Sequence, residues 1–127
     1  MVKILLAEDD KALNELVSSM LIENGYSVVS CHDGQETLGR LEEDVFDMII
    51  TDIMMPETDG FALAEAVRRT DAHIPILFMT ALDDKPSKQR GYKIGIDDYV
   101  VKPFDADILL LRVGALLRRA NIERSRE

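Results

Sequence analysis

Apolar residues along this chain follow two alternating patterns. Five short runs are apolar without a helical period, which is typical of strands buried on both faces of a parallel sheet. The predicted strands are residues 2–7, 26–31, 48–52, 74–79 and 99–101. Between them apolar residues recur at helical spacing, in the first case as Leu13, Leu16, Val17, Met20 and Leu21. The predicted helices lie near residues 10–24, 34–43, 59–69, within 83–94, and from 105 onwards.

Polar residues indicate where these elements begin and end. Asp10, Asp59 and Asp105 each precede a predicted helix, where a carboxylate can accept hydrogen bonds from free backbone N–H groups. Asn24-Gly25 is a signal for the end of the first helix. Pro75 should lie at the start of the fourth strand, because proline cannot donate a hydrogen bond within a sheet.

Strand and helix alternate five times, and this alternation predicts the fold. Right-handed crossovers with short loops give an α/β protein with a five-stranded parallel sheet and helices on both faces. The flavodoxin-like strand order 2-1-3-4-5 is expected, with its switch point between the first and third strands. That order places Glu8-Asp9 beside Asp52, and Thr80 and Lys102 end the neighbouring strands on the same rim.

Composition and charge restrict the possible functions. The chain has 127 residues, enough for one domain with a proper core, and is 46% hydrophobic and 31% charged. Its net charge of -9 argues against unaided binding to nucleic acid or anionic membranes. No apolar run approaches the roughly 18 residues of a membrane span, and no signal peptide opens the chain. Cys31 stands alone, so the cytoplasm is the expected location.

The side chains expected at the rim have a specific chemical use. Clustered carboxylates repel one another, and a magnesium ion, which prefers oxygen ligands, would relieve that repulsion. The Lys102 ammonium can neutralise a phosphoryl group, and the Thr80 hydroxyl can hydrogen-bond one of its oxygens. Asp52 would then be the nucleophile that accepts a phosphoryl group. When Asp52 is considered without the rest of the chain, the alternative to this role as a nucleophile is that the residue only ends its strand.

Four motifs in order along the chain resemble the receiver domain of two-component response regulators. They are Glu8-Asp9, the stretch from Asp52 to Gly60, Thr80-Ala81, and the stretch from Asp97 to Phe104. The resemblance covers Lys3 to about Arg119, and its last part is similar to regulators of the OmpR/PhoB type. It implies a signalling switch, not a conventional enzyme, in which a partner sensor histidine kinase phosphorylates Asp52.

The resemblance also implies roles for the residues around Asp52. Asp9 and Asp52 would ligate Mg²⁺, Glu8 would act through water, and the backbone carbonyl of Met54 would be a further ligand. Thr80 and Lys102 would hold the phosphoryl group.

A conformational switch is implied by the same resemblance. Tyr99 would be the aromatic residue that turns inward when Thr80 moves, and the Lys102-Pro103 bond would be cis.

Relatives of this type dimerise on phosphorylation, and the resemblance implies such a homodimer here. The face would use the fourth helix, the fifth strand and the fifth helix, with the charged residues Lys88, Asp97, Asp98, Arg112 and Arg119. Residues 1–120 are expected to form the receiver domain, and 121–127 the start of a linker or tail. An output domain that binds DNA is absent from this sequence.

Three other functions compete with the phosphorylated switch that controls transcription. A single-domain regulator would act by contacts with other proteins. A phosphatase with an aspartyl-phosphate intermediate usually needs a second acid near the nucleophile, and the position two after Asp52 is Met54. A flavin-binding domain would need a loop that cradles phosphate after the first strand, where Glu8-Asp9-Asp10 would repel it.

Overall fold

The computed structural model describes the backbone of residues 1–126 and the side chains of residues 1–120. The strands are β1 (Lys3–Ala7), β2 (Ser27–Cys31), β3 (Met48–Thr51), β4 (Ile76–Thr80) and β5 (Asp98–Val101). The helices are α1 (Lys11–Glu23), α2 (Gly34–Glu43), α3 (Gly60–Thr70), α4 (Lys85–Ile94) and α5 (Ala106–Arg126). All pairings are parallel and the order is β2-β1-β3-β4-β5, which confirms the predicted fold class and topology.

Two apolar layers fix the sheet between its helices. Alternate strand residues point to opposite faces, so Leu5 and Ile49 join one layer while Ile4 and Ile50 join the other. The first layer includes apolar residues of α2 and α3, with Phe61 among them. The second includes those of α1 and α5. The central strands are therefore covered on both sides, and only their ends can carry exposed chemistry.

Aspartates cap most of the helices, as the sequence predicted. The side chains of Asp10 and Asp59 accept hydrogen bonds from the third residue beyond them. Asp33 and Asp84 do the same for α2 and α4. Asp105 accepts a hydrogen bond from the N–H of residue 107 at 2.8 Å, so it also serves the first turn of α5.

Most strand bounds lie within one residue of the predicted ones, and two larger differences have a physical reason. Strand β4 begins at Ile76, directly after Pro75, since proline has no N–H to donate to the sheet. In α1, Leu16 is 63% exposed although it fits the helical spacing, while Asn14 is buried. The predicted linker at 121–127 is not tested, because the side chains of these residues lie outside the described ones.

Candidate functional site

The predicted site residues gather at one rim of the sheet. Glu8 and Asp9 follow β1, Asp52 follows β3, Thr80 is the last residue of β4 and Lys102 follows β5. Parallel strands end at the same side of a sheet, and β1 and β3 are neighbours in this order. The topology therefore brings together residues that are up to 94 positions apart in sequence.

Three carboxylates form the acidic part of this rim. Oxygen atoms of Glu8, Asp9 and Asp52 all lie within 4.8 Å of one another. Glu8 and Asp52 are buried, at 0% and 4% exposure, while Asp9 is exposed. Two buried acids beside a third are costly without positive charge close by. The group could hold a metal ion, since carboxylate oxygens are the ligands that hard divalent cations prefer.

Lys102 supplies positive charge to the two buried acids. Its Nζ donates a hydrogen bond to Asp52 Oδ2 at 2.7 Å and another to Glu8 Oε1. Burial lowers the pKa of Lys102, but these hydrogen bonds outweigh burial and its pKa lies above the ordinary value. The lysine therefore stays charged between the two carboxylates at any physiological pH.

Glu8 is the most enclosed of the three acids. Burial raises its pKa above the usual range, and the hydrogen bond from Lys102 only partly opposes this effect. Its other oxygen, Oε2, accepts the backbone N–H of Asp10 at 2.9 Å. Both Glu8 oxygens thus accept hydrogen bonds from the protein.

The mouth of the site is formed by the segments that follow β3 and β4. The backbone N–H of Met54 donates to Asp52 Oδ1 at 3.2 Å, so the backbone of this residue lies next to the carboxylate. Its side chain is 50% exposed. Thr80 is fully buried, and its Oγ1 accepts the N–H of Leu82 at 3.4 Å. The backbones of Met54 and Leu82 thus lie next to Asp52 and Thr80, and the side chain of Leu82 is partly buried against the apolar core.

Tyr99 occupies an inward position in this structure. Its side chain is only 8% exposed, and its ring packs edge-on against Phe78 with centroids 6.2 Å apart. The hydroxyl donates to the backbone carbonyl of Leu82 at 2.7 Å, and burial raises its pKa to about 12. The Lys102-Pro103 peptide bond is cis, as the resemblance implied. Movement of Tyr99 with Thr80 stays a prediction.

Four charged residues of the predicted dimer face have partners within the chain. Lys88 lies 2.6 Å from Asp83, and Arg112 lies 2.7 Å from Asp98. Asp97 is tied to its own domain, where Oδ2 accepts hydrogen bonds from Arg68 and from the N–H of residue 76.

The fifth predicted face residue, Arg119, lines a small cleft with Asp97 and His73. Pairing of Lys88, Asp97, Asp98 or Arg112 between two copies would therefore compete with contacts within the chain.

Asn14 is a site-supporting residue that the sequence pattern did not reveal. It is 1% exposed, and its Nδ2 donates to the carbonyls of Glu8 at 3.1 Å and Cys31 at 3.0 Å. It therefore fixes the backbone that carries the acidic pair. The one sequence signal for this role is an amide side chain four residues after Asp10, in the first turns of α1. The apolar spacing of this helix instead pointed to the neighbours of Asn14.

The comparisons with known proteins agree on the family. Residues 4–114 match the family described as "Response regulator receiver domain", and the chain belongs to this family. Its most similar relatives include the transcriptional regulatory protein RprY of Bacteroides fragilis, which is 41% identical over 98% of this chain. Response regulator MprA of Mycobacterium bovis is 41% identical over 99% of it. The predicted family and its OmpR/PhoB type are confirmed.

These relatives are longer than the chain. The chain covers 53% of RprY and 55% of MprA, so it spans about half the length of the curated relatives it matches.

Solved structures support the same fold. The receiver domain of the Francisella response regulator 1452 is similar with a TM-score of 0.88 and 36% identity, over 94% of this chain and 98% of that one. The chemotaxis response regulator CheY4 of Vibrio cholerae is similar with a TM-score of 0.86 and 34% identity, over 91% of this chain and 98% of that one. Among the described residues, no helix is both apolar enough and long enough to cross a membrane.

Proposed function

We propose that this domain is a signalling switch that accepts a phosphoryl group on Asp52 from a sensor histidine kinase, with Mg²⁺ bound at the acidic rim. The observation that carries the proposal is the buried Asp52 carboxylate, which is hydrogen-bonded to Lys102 and flanked by Glu8 and Asp9. Membership of the receiver family supports it. A kinase partner follows from the same membership.

The two oxygens of Asp52 are held differently, and this difference suits phosphoryl transfer. Oδ1 accepts the N–H of Met54, and Oδ2 accepts Lys102 Nζ. One carboxylate oxygen attacks phosphorus, the O–P bond forms as the P–N bond to the kinase histidine breaks, and the imidazole leaves and takes up a proton. Lys102 offsets charge on the transferring group, and the Thr80 hydroxyl can donate to one of its oxygens.

The residues present fit a magnesium ion. The three acids offer only oxygen donors, and their atoms lie within 4.8 Å of one another. Asp9 and Asp52 would hold the ion, with Glu8 through water and the Met54 carbonyl as a further ligand. When bound, the ion would neutralise negative charge on phosphoryl oxygens and carboxylates.

The output of the switch would be transcription, because similar chains belong to longer proteins named as transcriptional regulators. DNA would be bound only through an output domain, and phosphorylation would promote a homodimer. The domain would not be a conventional enzyme: its chemistry would be its own phosphorylation and slow loss of the phosphoryl group. The cytoplasmic location expected from the sequence stays a prediction.

Mass spectrometry after incubation with acetyl phosphate and magnesium tests the proposal. The expected result is one stable phosphoryl adduct in the wild type and none in Asp52→Ala. An adduct that persists in Asp52→Ala would refute Asp52 as the acceptor. Rapid turnover of the donor without an adduct would favour the phosphatase, and a yellow protein on purification would favour the flavin-binding domain.

A further inference from the structure

The loop between β3 and α3 is closed at its base, next to Asp52. At the base, the N–H of Gly60 donates to the carbonyl of Ile53 at 2.8 Å. A Cβ on Gly60 would lie 2.4 Å from the Asp52 carbonyl oxygen, so this end admits only glycine. At the tip, Glu57 has a positive φ of 70°, which is uncommon for a residue with a side chain.

The tip of this loop rests on the first residue of α2. A Cβ built on Gly34 would lie 2.1 Å from the Thr58 carbonyl oxygen and 2.4 Å from the Thr58 Cβ. Real Cβ atoms do not approach other atoms this closely, and the nearest atom belongs to backbone. Gly34 is buried by this contact. The absence of a side chain at position 34 therefore sets how closely the loop approaches α2.

The start of α2 is firmly held on its other side. Asp33 Oδ1 accepts the N–H of Glu36 at 2.7 Å, and Thr37 Oγ1 donates to the Asp33 carbonyl at 2.7 Å. The preceding strand ends at Cys31, whose carbonyl accepts the N–H of Glu8 at 3.0 Å. One segment, residues 31–34, thus contacts both the backbone of the acidic pair and the loop that follows Asp52.

We propose that Gly34 is a positioning residue for phosphoryl transfer, which acts through Thr58 to hold the β3–α3 loop at the distance that aligns Asp52 and Met54. This inference rests on the proposed function. A side chain at position 34 requires a shift at this contact. Because hydrogen bonds hold the start of α2, we expect Thr58 to move outward and residues 53–58 to move with it. Misplacement of reacting groups by a distant substitution can slow a reaction severely.

Gly34→Ala and Gly39→Ala form a matched pair within α2. A Cβ on Gly39 would meet nothing within 4 Å, so this variant reproduces the same chemical change without the contact. The rate of adduct formation is measured for both variants and the wild type with acetyl phosphate at saturating magnesium, well below the melting temperature of each protein. Gly34→Ala should react about tenfold more slowly than the wild type, and Gly39→Ala at the wild-type rate.

Thr58→Gly and Thr58→Ser extend the test should Gly34→Ala fail to fold. Thr58→Gly removes the Cβ that contacts Gly34 and should slow the reaction. Thr58→Ser keeps that Cβ and should react at the wild-type rate. A wild-type rate in Gly34→Ala would overturn the inference, as would equal slowing in Gly34→Ala and Gly39→Ala. If Gly34→Ala does not fold, a wild-type rate in Thr58→Gly would overturn it.

Nuclear magnetic resonance separates failure of the inference from failure of the proposed function. If the wild type forms no adduct, the proposed function fails, and the loop is judged from amide chemical shifts alone. The Met54 and Thr58 amides should then shift in Gly34→Ala and not in Gly39→Ala. Unchanged loop amides in Gly34→Ala would overturn the positioning role.

Discussion

Two adjacent carboxylates at the end of β1 have different surroundings. Asp9 has an oxygen within 4.8 Å of oxygens of Glu8 and Asp52, whereas Asp10 Oδ1 accepts the N–H of Leu13 at 3.1 Å and caps α1. Sequence could separate them, because a residue just before a helical pattern is a cap candidate. It could not show that Glu8 and Asp52 share one lysine, since that contact depends on side-chain positions across three strands.

Asp9→Asn and Asp10→Asn each remove one negative charge, and together they test whether Asp9 binds magnesium while Asp10 only caps α1. Asp9→Asn should weaken magnesium binding about tenfold or more, because it removes a direct ligand from a site with few protein ligands. Asp10→Asn should bind nearly as the wild type does, since asparagine is an equally good helix cap. Calorimetry or magnesium titration followed by NMR measures both. Equal affinity in Asp9→Asn and the wild type would refute the ligand assignment.

The lifetime of the phosphorylated state should depend on Met54 and Leu82. Hydrolysis needs a water molecule in line with phosphorus, and neither side chain can orient that water by a strong hydrogen bond. The Met54 side chain is half exposed and its backbone N–H donates to Asp52 Oδ1, so we expect this side chain to shield the phosphoryl group. We expect slow decay in the wild type and faster decay in Met54→Asn, most clearly when Leu82 is also polar.

Decay of the adduct is followed after removal of the donor, in magnesium and without a kinase or phosphatase. Wild-type decay as fast as that of the polar double variant would show that Met54 and Leu82 do not control access of water.

Cys31 should make the domain sensitive to alkaline pH. Burial raises the pKa of its thiol to about 11, whereas a thiol in the unfolded chain has a pKa of about 8.5. Between these pH values only the unfolded chain loses the proton, so the free energy of unfolding falls as pH rises. The loss from about pH 8 to about pH 11 should be about 2–3 kcal/mol larger than in Cys31→Ala. Urea unfolding at both pH values measures it, and equal losses would contradict it.

At the scale of the elements, the sequence predicted the strands, the helices and several caps correctly. It failed on α1, where Asn14 takes a buried position and Leu16 faces outward. Periodicity identifies a face from apolar residues, so it cannot recognise a buried amide whose partners are two backbone carbonyls at the ends of β1 and β2. The start of β4 was placed two residues early for a simpler reason, since Ile74 is buried but precedes Pro75.

Arg68 joins α3 to the end of α4 and the start of β5. Its guanidinium donates twice to the Gly95 carbonyl, at 2.8 and 3.1 Å, and once to Asp97 at 3.2 Å. Its side chain is 14% exposed. Arg68→Met keeps the apolar stem and removes the donors, so we expect a loss of about 2 kcal/mol in the free energy of unfolding.

Arg69→Met is the matched control, because Arg69 is the exposed neighbour on the same helix. Urea denaturation compares the two variants with the wild type. Equal stability of the two variants would argue against a role for Arg68 in joining these elements.

At the scale of the whole molecule, the site was predictable because topology alone assembles it. Once the order 2-1-3-4-5 is expected, the ends of β1, β3, β4 and β5 must meet at one rim. The dimer face stays a prediction. The sequence could not show which of its charged residues have partners within the chain, because these pairs depend on side-chain positions, as the Arg112–Asp98 pair shows.

Phosphorylation-dependent dimerisation should be weak and sensitive to salt. Arg112 is 44% exposed and already paired with Asp98, and Lys88 is paired with Asp83, so a dimer would exchange exposed pairs for similar ones. Each such pair contributes only about 0–1 kcal/mol and is screened by salt. Light scattering with beryllofluoride as the phosphoryl mimic should detect a dimer at low salt that dissociates as salt rises, and Arg112→Ala should weaken it. Arg69→Ala removes the same charge from a helix outside this face and should leave the dimer unchanged. A monomer at high concentration and low salt, or a dimer indifferent to Arg112→Ala, would contradict this use of the face.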